Sequence, residues 1–162
     1  SKKFYSLKIP FIFDPGQALP MFKKDDLLYL IEIASWIAVN EYEAQLLQSI
    51  TGSSLESITG LLNKHKMGGL INTLGSDGTK IYTKSGVHYV KAIFTEKVVD
   101  PTGCGDAFRA GFLFGLNNNY SLTECVEFGN VLGGIKVSKA GAQNHNLDFD
   151  LVKSLIETNY RK

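Results

Sequence analysis

Apolar positions in the first half of this chain recur at helical spacing in three stretches, with short apolar runs between them. Residues 24–34 place Leu27, Leu28, Ile31 and Ile33 on one side, the spacing of an amphipathic helix. Residues 41–50 repeat the pattern with Ala44, Leu47 and Ile50, and residues 54–65 with Leu55, Ile58, Leu61 and Leu62. The runs Ile12-Phe13-Asp14 and Trp36-Ile37-Ala38-Val39 read as short buried strands. The first ends at the breaker pair Pro15-Gly16 and the second at Asn40.

The rhythm then changes. Residues 70–74 predict a strand, Ser76-Asp77-Gly78 a turn, residues 80–83 a returning strand, and Ser85-Gly86 a second turn into residues 87–94. That is a small antiparallel meander. Residues 107–116 are nearly all apolar, with Arg109 the one charge, and predict a helix buried all round. Asn117-Asn118-Asn119 ends it. Ser121 and Glu124 form a capping box for a helix running to about Lys139 and stopping at Gly141, and residues 148–159 close the chain as a helix. Strands alternating with helices imply an α/β fold, a parallel sheet with helices on its faces. With no internal repeat or interior linker, the 162 residues read as one domain.

Composition narrows the function classes. Apolar residues make up 44% and charged residues 20%, a globular balance. A net charge of +1 gives no basic excess for nucleic acid and no polybasic block for a membrane surface. No apolar stretch approaches a membrane span. Ser1-Lys2-Lys3 leads into mixed residues rather than a secretory signal. Two cysteines, Cys104 and Cys125, read as free thiols in a reducing cytoplasm, and His65, His88 and His145 lack zinc spacing. A cytoplasmic location is the expectation.

Val99-Asp100-Pro101-Thr102-Gly103-Cys104-Gly105-Asp106 concentrates the candidate chemistry. The glycines let backbone N–H groups near Gly103, Cys104 and Gly105 point outward, and the apolar helix that follows adds the positive end of its dipole. Asp106 stands where a hydroxyl proton would be taken, with Asp100 as a second carboxylate across the turn. From the residues alone, an anion site with a base beside it and a tight turn into a buried helix both fit. Arg109, one helical turn beyond Asp106, either pairs with it or reaches a substrate.

This stretch resembles the Asp-Thr-x-Gly-Ala-Gly-Asp signature of the ribokinase/PfkB family of sugar and nucleoside kinases, with Pro101 and Cys104 as departures. The resemblance recurs in order along the chain. Asn40-Glu41-Tyr42-Glu43 fits the family's Asn-x-x-Glu motif, which implies that Glu43 organises Mg2+ through its waters. Thr73-Leu74-Gly75-Ser76-Asp77-Gly78 fits a Thr-x-Gly-x-x-Gly loop along the nucleotide. Asn130 matches an asparagine near the adenine. Lys139-Ala140-Gly141-Ala142-Gln143 resembles a loop that, with Asp100 and the carbonyls of Thr102 and Gly141, encloses a monovalent cation, with K+ the expected ion. Phe13-Asp14-Pro15-Gly16-Gln17 resembles a strand end near the phosphate path, without the asparagine often found there.

The resemblance implies a ribokinase-like three-layer α/β/α (Rossmann-like) portion. It also implies transfer of the ATP γ-phosphoryl group to an alcohol. Asp106 would take the proton and the amides of Gly103, Cys104 and Gly105 would hold the phosphoryl. It covers only the C-terminal half of a family member, so the N-terminal half and its β-rich lid, with most substrate contacts, are missing. Asp-Pro-Gly-Gln and Asp-Pro-Thr-Gly-Cys-Gly-Asp-Ala-Phe-Arg resemble most the adenosine-kinase-like bacterial branch, with ribose, fructose and sugar phosphates still open. The start at Ser1 fits a chain begun inside a longer protein. A half-sheet would expose an apolar edge. The expected partners are therefore a small-molecule substrate and either a second copy or the missing N-terminal half, and little kinase activity is expected from this portion alone. A non-catalytic nucleotide-binding or assembly module is the alternative. A dinucleotide-binding oxidoreductase would need a glycine where Phe108 stands, and a Walker-type ATPase would need Gly-Lys-Ser/Thr after the glycines.

Overall fold

The computed structural model describes residues 1–62, 68–144 and 146–161. The chain forms two compact units, one of Ser1–Leu74 with Lys80–Tyr89, the other of Gly75–Thr79 with Val90–Lys162.

The first unit is built on a sheet. Its elements are α1 (Lys2–Ser6), β1 (Ile12–Phe13), a 3-10 turn at Gly16–Met21, α2 (Lys24–Ile33), β2 (Trp36–Asn40), α3 (Glu41–Thr51), α4 (Leu55–Leu61), β3 (Gly69–Thr73), β4 (Thr79–Thr83) and β5 (Gly86–Val90). The strands lie in the order β1-β2-β3-β4-β5. β1, β2 and β3 are parallel, with Ile12 opposite Trp36 and Asn40 opposite Thr73. The links from β3 to β4 and from β4 to β5 are too short for a crossover, so these strands run antiparallel and make the expected meander. Leu27, Ile31, Ile37, Leu47, Ile58 and Leu70 fill the core of this unit.

Several boundaries differ from the sequence reading. β1 stops at Phe13, and β5 ends at Val90 rather than at 94. α4 ends at Leu61, which is 42% exposed instead of facing inward. Leu62 follows in extended geometry and is buried in its place. Residues 63–65 of that predicted helix lie outside the described residues.

The second unit is helical: α5 (Cys104–Asn117), α6 (Leu122–Val137) and α7 (Phe149–Tyr160). Ala107, Phe128, Val131, Leu132, Val152 and Ile156 form its core. α5 is not buried all round, since Leu113 and Phe114 are exposed. Its buried face carries Gly111 and Gly115, where a Cβ would stand 2.6 Å from the Phe128 carbonyl oxygen and 2.8 Å from Cys125. α5 and α6 therefore approach backbone to backbone at these glycines, while Phe108 packs on Gly129 and Phe114 on Phe128 of α6. α6 ends at Val137, two residues before the predicted limit. The Val137 carbonyl accepts from the amides of Val99 (2.8 Å) and Asp100 (3.1 Å). Among the described residues no helix is long and apolar enough to cross a membrane.

Candidate functional site

In the first unit, the carboxyl ends of the parallel strands gather several of the expected residues. Open α/β sheets bind ligands at such strand ends. Asn40 ends β2 and pairs in register with Thr73, which ends β3. The Thr73 hydroxyl donates to the Val39 carbonyl at 3.4 Å. Asn40 is also the N-cap of α3. Its Oδ1 accepts from the Glu43 amide (2.8 Å), and Glu43 Oε2 accepts from the Asn40 amide (2.9 Å). The Asn-x-x-Glu spacing is thus a capping box, a role the sequence reading gave only to Ser121 and Glu124. It fixes the Glu43 carboxylate at the mouth of a cavity of about 370 Å3, lined also by Gly16, Gln17, Leu19, Pro20, Asn40, Tyr42 and Leu46. The segment after β1 and the α3 cap therefore share one cavity. A carboxylate that lines a cavity is a hard oxygen donor of the kind Mg2+ and its waters accept.

In the second unit, Pro101–Cys104 is a tight turn. The Cys104 amide donates to the Pro101 carbonyl at 3.0 Å. Gly103 has φ 82° and ψ 0°, the geometry that type II turns require at their third residue and that favours glycine. A Cβ there would also stand 2.9 Å from the Ala142 carbonyl oxygen. One expectation is corrected: the Cys104 amide closes the turn and is not turned outward. The helix start remains open, because Gly103 as N-cap has no side chain and, among the described residues, no side chain caps α5. The amides of Gly105 and Asp106 have no carbonyl behind them in the helix. Burial raises the pKa of the Cys104 thiol, so that side chain packs as a small apolar group at neutral pH.

Asp106 is the third residue of α5 and its side chain is 80% exposed, with Oδ1 2.6 Å from Arg109 Nη2. Arg109 thus does what its spacing allowed and pairs with Asp106.

Asp100 is held differently. Its Oδ1 accepts from the Thr102 amide (2.9 Å) and its Oδ2 from the Gly141 amide (2.8 Å). Hydrogen bonds from the Thr102 side chain, then from the Thr102 and Gly141 amides, hold its pKa down at about 2. Lys136, which the sequence reading passed over, donates from Nζ to the carbonyls of Asp100 (2.8 Å) and Lys139 (3.1 Å) while fully buried. The available signal was its position four residues after Leu132, on the buried stripe of α6.

Gly75 and Gly78 both have positive φ, at 59° and 107°. Gly75 faces open space, whereas a Cβ on Gly78 would meet the Val90 carbonyl oxygen at 2.3 Å. Asn130, expected near an adenine, is buried. Its Oδ1 accepts from the Thr79 hydroxyl (2.8 Å) and its Nδ2 donates to the Lys91 carbonyl (3.0 Å). Its amide braces the segments around Gly78 and Val90. Of the three histidines, His65 and His145 lie outside the described residues.

The pattern of the pfkB family carbohydrate kinases matches residues 6–148. A nucleoside kinase of Methanocaldococcus jannaschii is 33% identical over 145 residues, covering 90% of this chain and 46% of that protein. A ribokinase of Lactococcus lactis is 34% identical over 135 residues, covering 83% of this chain and 41% of that protein. The structure of a Burkholderia thailandensis nucleoside kinase in complex with ADP-inosine superposes with a TM-score of 0.92 at 35% identity, over 99% of this chain and 49% of that one. The fold is thus the expected ribokinase-like α/β fold, and the chain spans about half the length of the curated relatives it matches.

Proposed function

This chain belongs to the pfkB family of carbohydrate kinases, and from that premise we propose that its two units are the ATP-binding and catalytic portion of a sugar or nucleoside kinase. The observation that carries the reading is the start of α5. There a carboxylate at the third helical residue, Asp106, stands exposed beside a helix end that no side chain caps.

In this reading Asp106 accepts the proton of the substrate hydroxyl as its oxygen attacks the γ-phosphorus of ATP. The Arg109 guanidinium, now on Asp106 Oδ1, holds the carboxylate in place until the hydroxyl arrives. The amides of Gly105 and Asp106, with the dipole of α5, hold the charge of the phosphoryl in flight. The αL conformation of Gly103 sets the direction of that helix start. Glu43 orients waters of Mg2+, which neutralises the nucleotide's phosphates when bound. Thr73, Gly75 and Gly78 supply backbone surface along the nucleotide, and Asn130 serves it through the segments it braces. The Asp100–Gly141 pair closes the turn below the anion site. Both oxygens of the Asp100 carboxylate, expected beside K+ with the carbonyls of Thr102 and Gly141, accept amide hydrogens.

A nucleoside is the favoured acceptor, because two of the similar proteins are nucleoside kinases, and adenosine comes first only through the resemblance of Asp-Pro-Gly-Gln and Asp-Pro-Thr-Gly-Cys-Gly-Asp-Ala-Phe-Arg to the adenosine-kinase-like branch. Transfer by the full-length protein, followed as ADP formed from ATP with adenosine, inosine, ribose and fructose, tests the reading. A nucleoside-dependent release of ADP is expected. No ADP release with any sugar or nucleoside would overturn it and favour the second reading, a nucleotide-binding or assembly module. The coverage of about half of each relative supports that second reading for these 162 residues taken alone, for which little transfer is expected without a counterpart of the part of the relatives that they do not span.

A further inference from the structure

Lys136 is a charged side chain in the last turn of α6 with none of its surface exposed. Lysines normally bury the stem and keep the head in water. Here the head is turned inward, onto the main-chain oxygens of Asp100 (2.8 Å) and Lys139 (3.1 Å). These belong to two segments that are otherwise clasped by backbone. The Val99 and Asp100 amides cap Val137, and the Gly141 amide reaches the Asp100 carboxylate. One segment leads within three residues to Gly103 and the anion site, and the other packs Ala142 against Gly103.

Carbonyl oxygens from two loops, a carboxylate nearby and the negative end of a helix dipole make a setting for a small monovalent cation. An ammonium group is close to K+ in size and charge, and here main-chain oxygens of Asp100 and Lys139 hold it. A buried ammonium is tolerated only when such partners compensate it, and an apolar side chain would fill the same volume without that cost.

We propose that the Lys136 ammonium is the resident cation of the paired segments 99–103 and 138–143, a tethered charge that holds the Asp100 and Lys139 carbonyls together in place of a free monovalent ion. The phosphoryl-binding turn is then set without any added monovalent ion. The consequence for catalysis rests on the phosphotransfer reading, whereas the consequence for the folded state does not.

Two readouts on the full-length protein separate them. The first is the Tm in chlorides of K+, NH4+, Na+, Li+ and tetramethylammonium at equal ionic strength, and the second is ATP-dependent transfer in the same salts. Wild type should give one Tm throughout, and Tl+, a K+ mimic, should show no bound signal by thallium NMR. Lys136→Met, which keeps the stem and removes the charge, should have a lower Tm that K+ and NH4+ raise but tetramethylammonium does not. A K+-specific rise in the wild-type Tm, or a bound Tl+ signal, would overturn the proposal. So would a folded Lys136→Met protein indifferent to the cation. If that variant does not fold, the wild-type series and the Tl+ spectrum decide alone. A flat wild-type Tm series with no transfer in any salt would sink the kinase reading and leave the tethered cation standing.

Discussion

Helices α6 and α5 begin with a carboxylate at the same place and use it in opposite ways. In α6 the third residue, Glu124, folds back on the N-cap: Oε2 lies 2.9 Å from the Ser121 amide and 2.6 Å from its hydroxyl. In α5 the third residue, Asp106, has Gly103 as its N-cap, finds no side chain to close a box with, and stands exposed against Arg109. Glu124 is consumed in capping the start of a helix, and its hydrogen bonds to Ser121 lower its pKa. Asp106 leaves the helix end open and keeps its own oxygens for another partner. α3 lies between the two, because Glu43 closes a box with Asn40 and still lines a cavity. A carboxylate in a first helical turn therefore says little by itself. What decides its role is whether the N-cap residue can engage it.

Changing the open end should have the largest effect. Gly103→Ala places a Cβ 2.9 Å from the Ala142 carbonyl in a left-handed conformation. It should lose about 1–2 kcal/mol of stability in a denaturant titration and lower kcat by about 10²-fold, as expected for a displaced anion-site donor. Glu43→Gln and Glu124→Gln alter equivalent caps, yet only the first should raise the Mg2+ concentration needed for half-maximal transfer, by roughly tenfold if one charge-assisted contact of ~1.5 kcal/mol is lost. Ser121→Ala removes a cap remote from chemistry and should cost about 1 kcal/mol of stability with kcat unchanged. A fall in kcat there would erase the distinction between the two helix starts.

The smallest effect is the pH dependence. The Asp100 pKa lies below its ordinary value of 3.8, at about 2. Between those values the unfolded chain binds a proton that the folded one refuses, so stability falls as pH falls through this window. Asp100→Asn should flatten that slope in acid unfolding curves.

Much of this architecture was legible because its signals are local. Periodicity located α2, α3 and the strand Trp36–Asn40, and the Ser121–Glu124 spacing marked the start of α6. Other features depend on partners distant in sequence. The nearly all-apolar look of α5 hid the fact that Gly111 and Gly115 let its backbone lie close against α6. The outward amide expected at Cys104 is taken by Pro101, because the same glycine that opens the helix also closes a turn. Asn130 matches an asparagine near the adenine by its place in the sequence, and only the fold brings Thr79 and Lys91 to its amide. Lys136 reads as one more surface lysine until Asp100, 36 residues earlier, presents its carbonyl.

The most direct test is phosphoryl transfer by the full-length Asp106→Asn protein, with nucleotide affinity measured on the same sample by calorimetry. The side chain keeps its size and a hydrogen-bonding oxygen, and only the basic charge is lost. The account predicts a fall in kcat of about 10³-fold, within the range for loss of a general base, and ATP binding close to that of wild type. Transfer at the wild-type rate would contradict it, and would place the base somewhere other than the open end of α5.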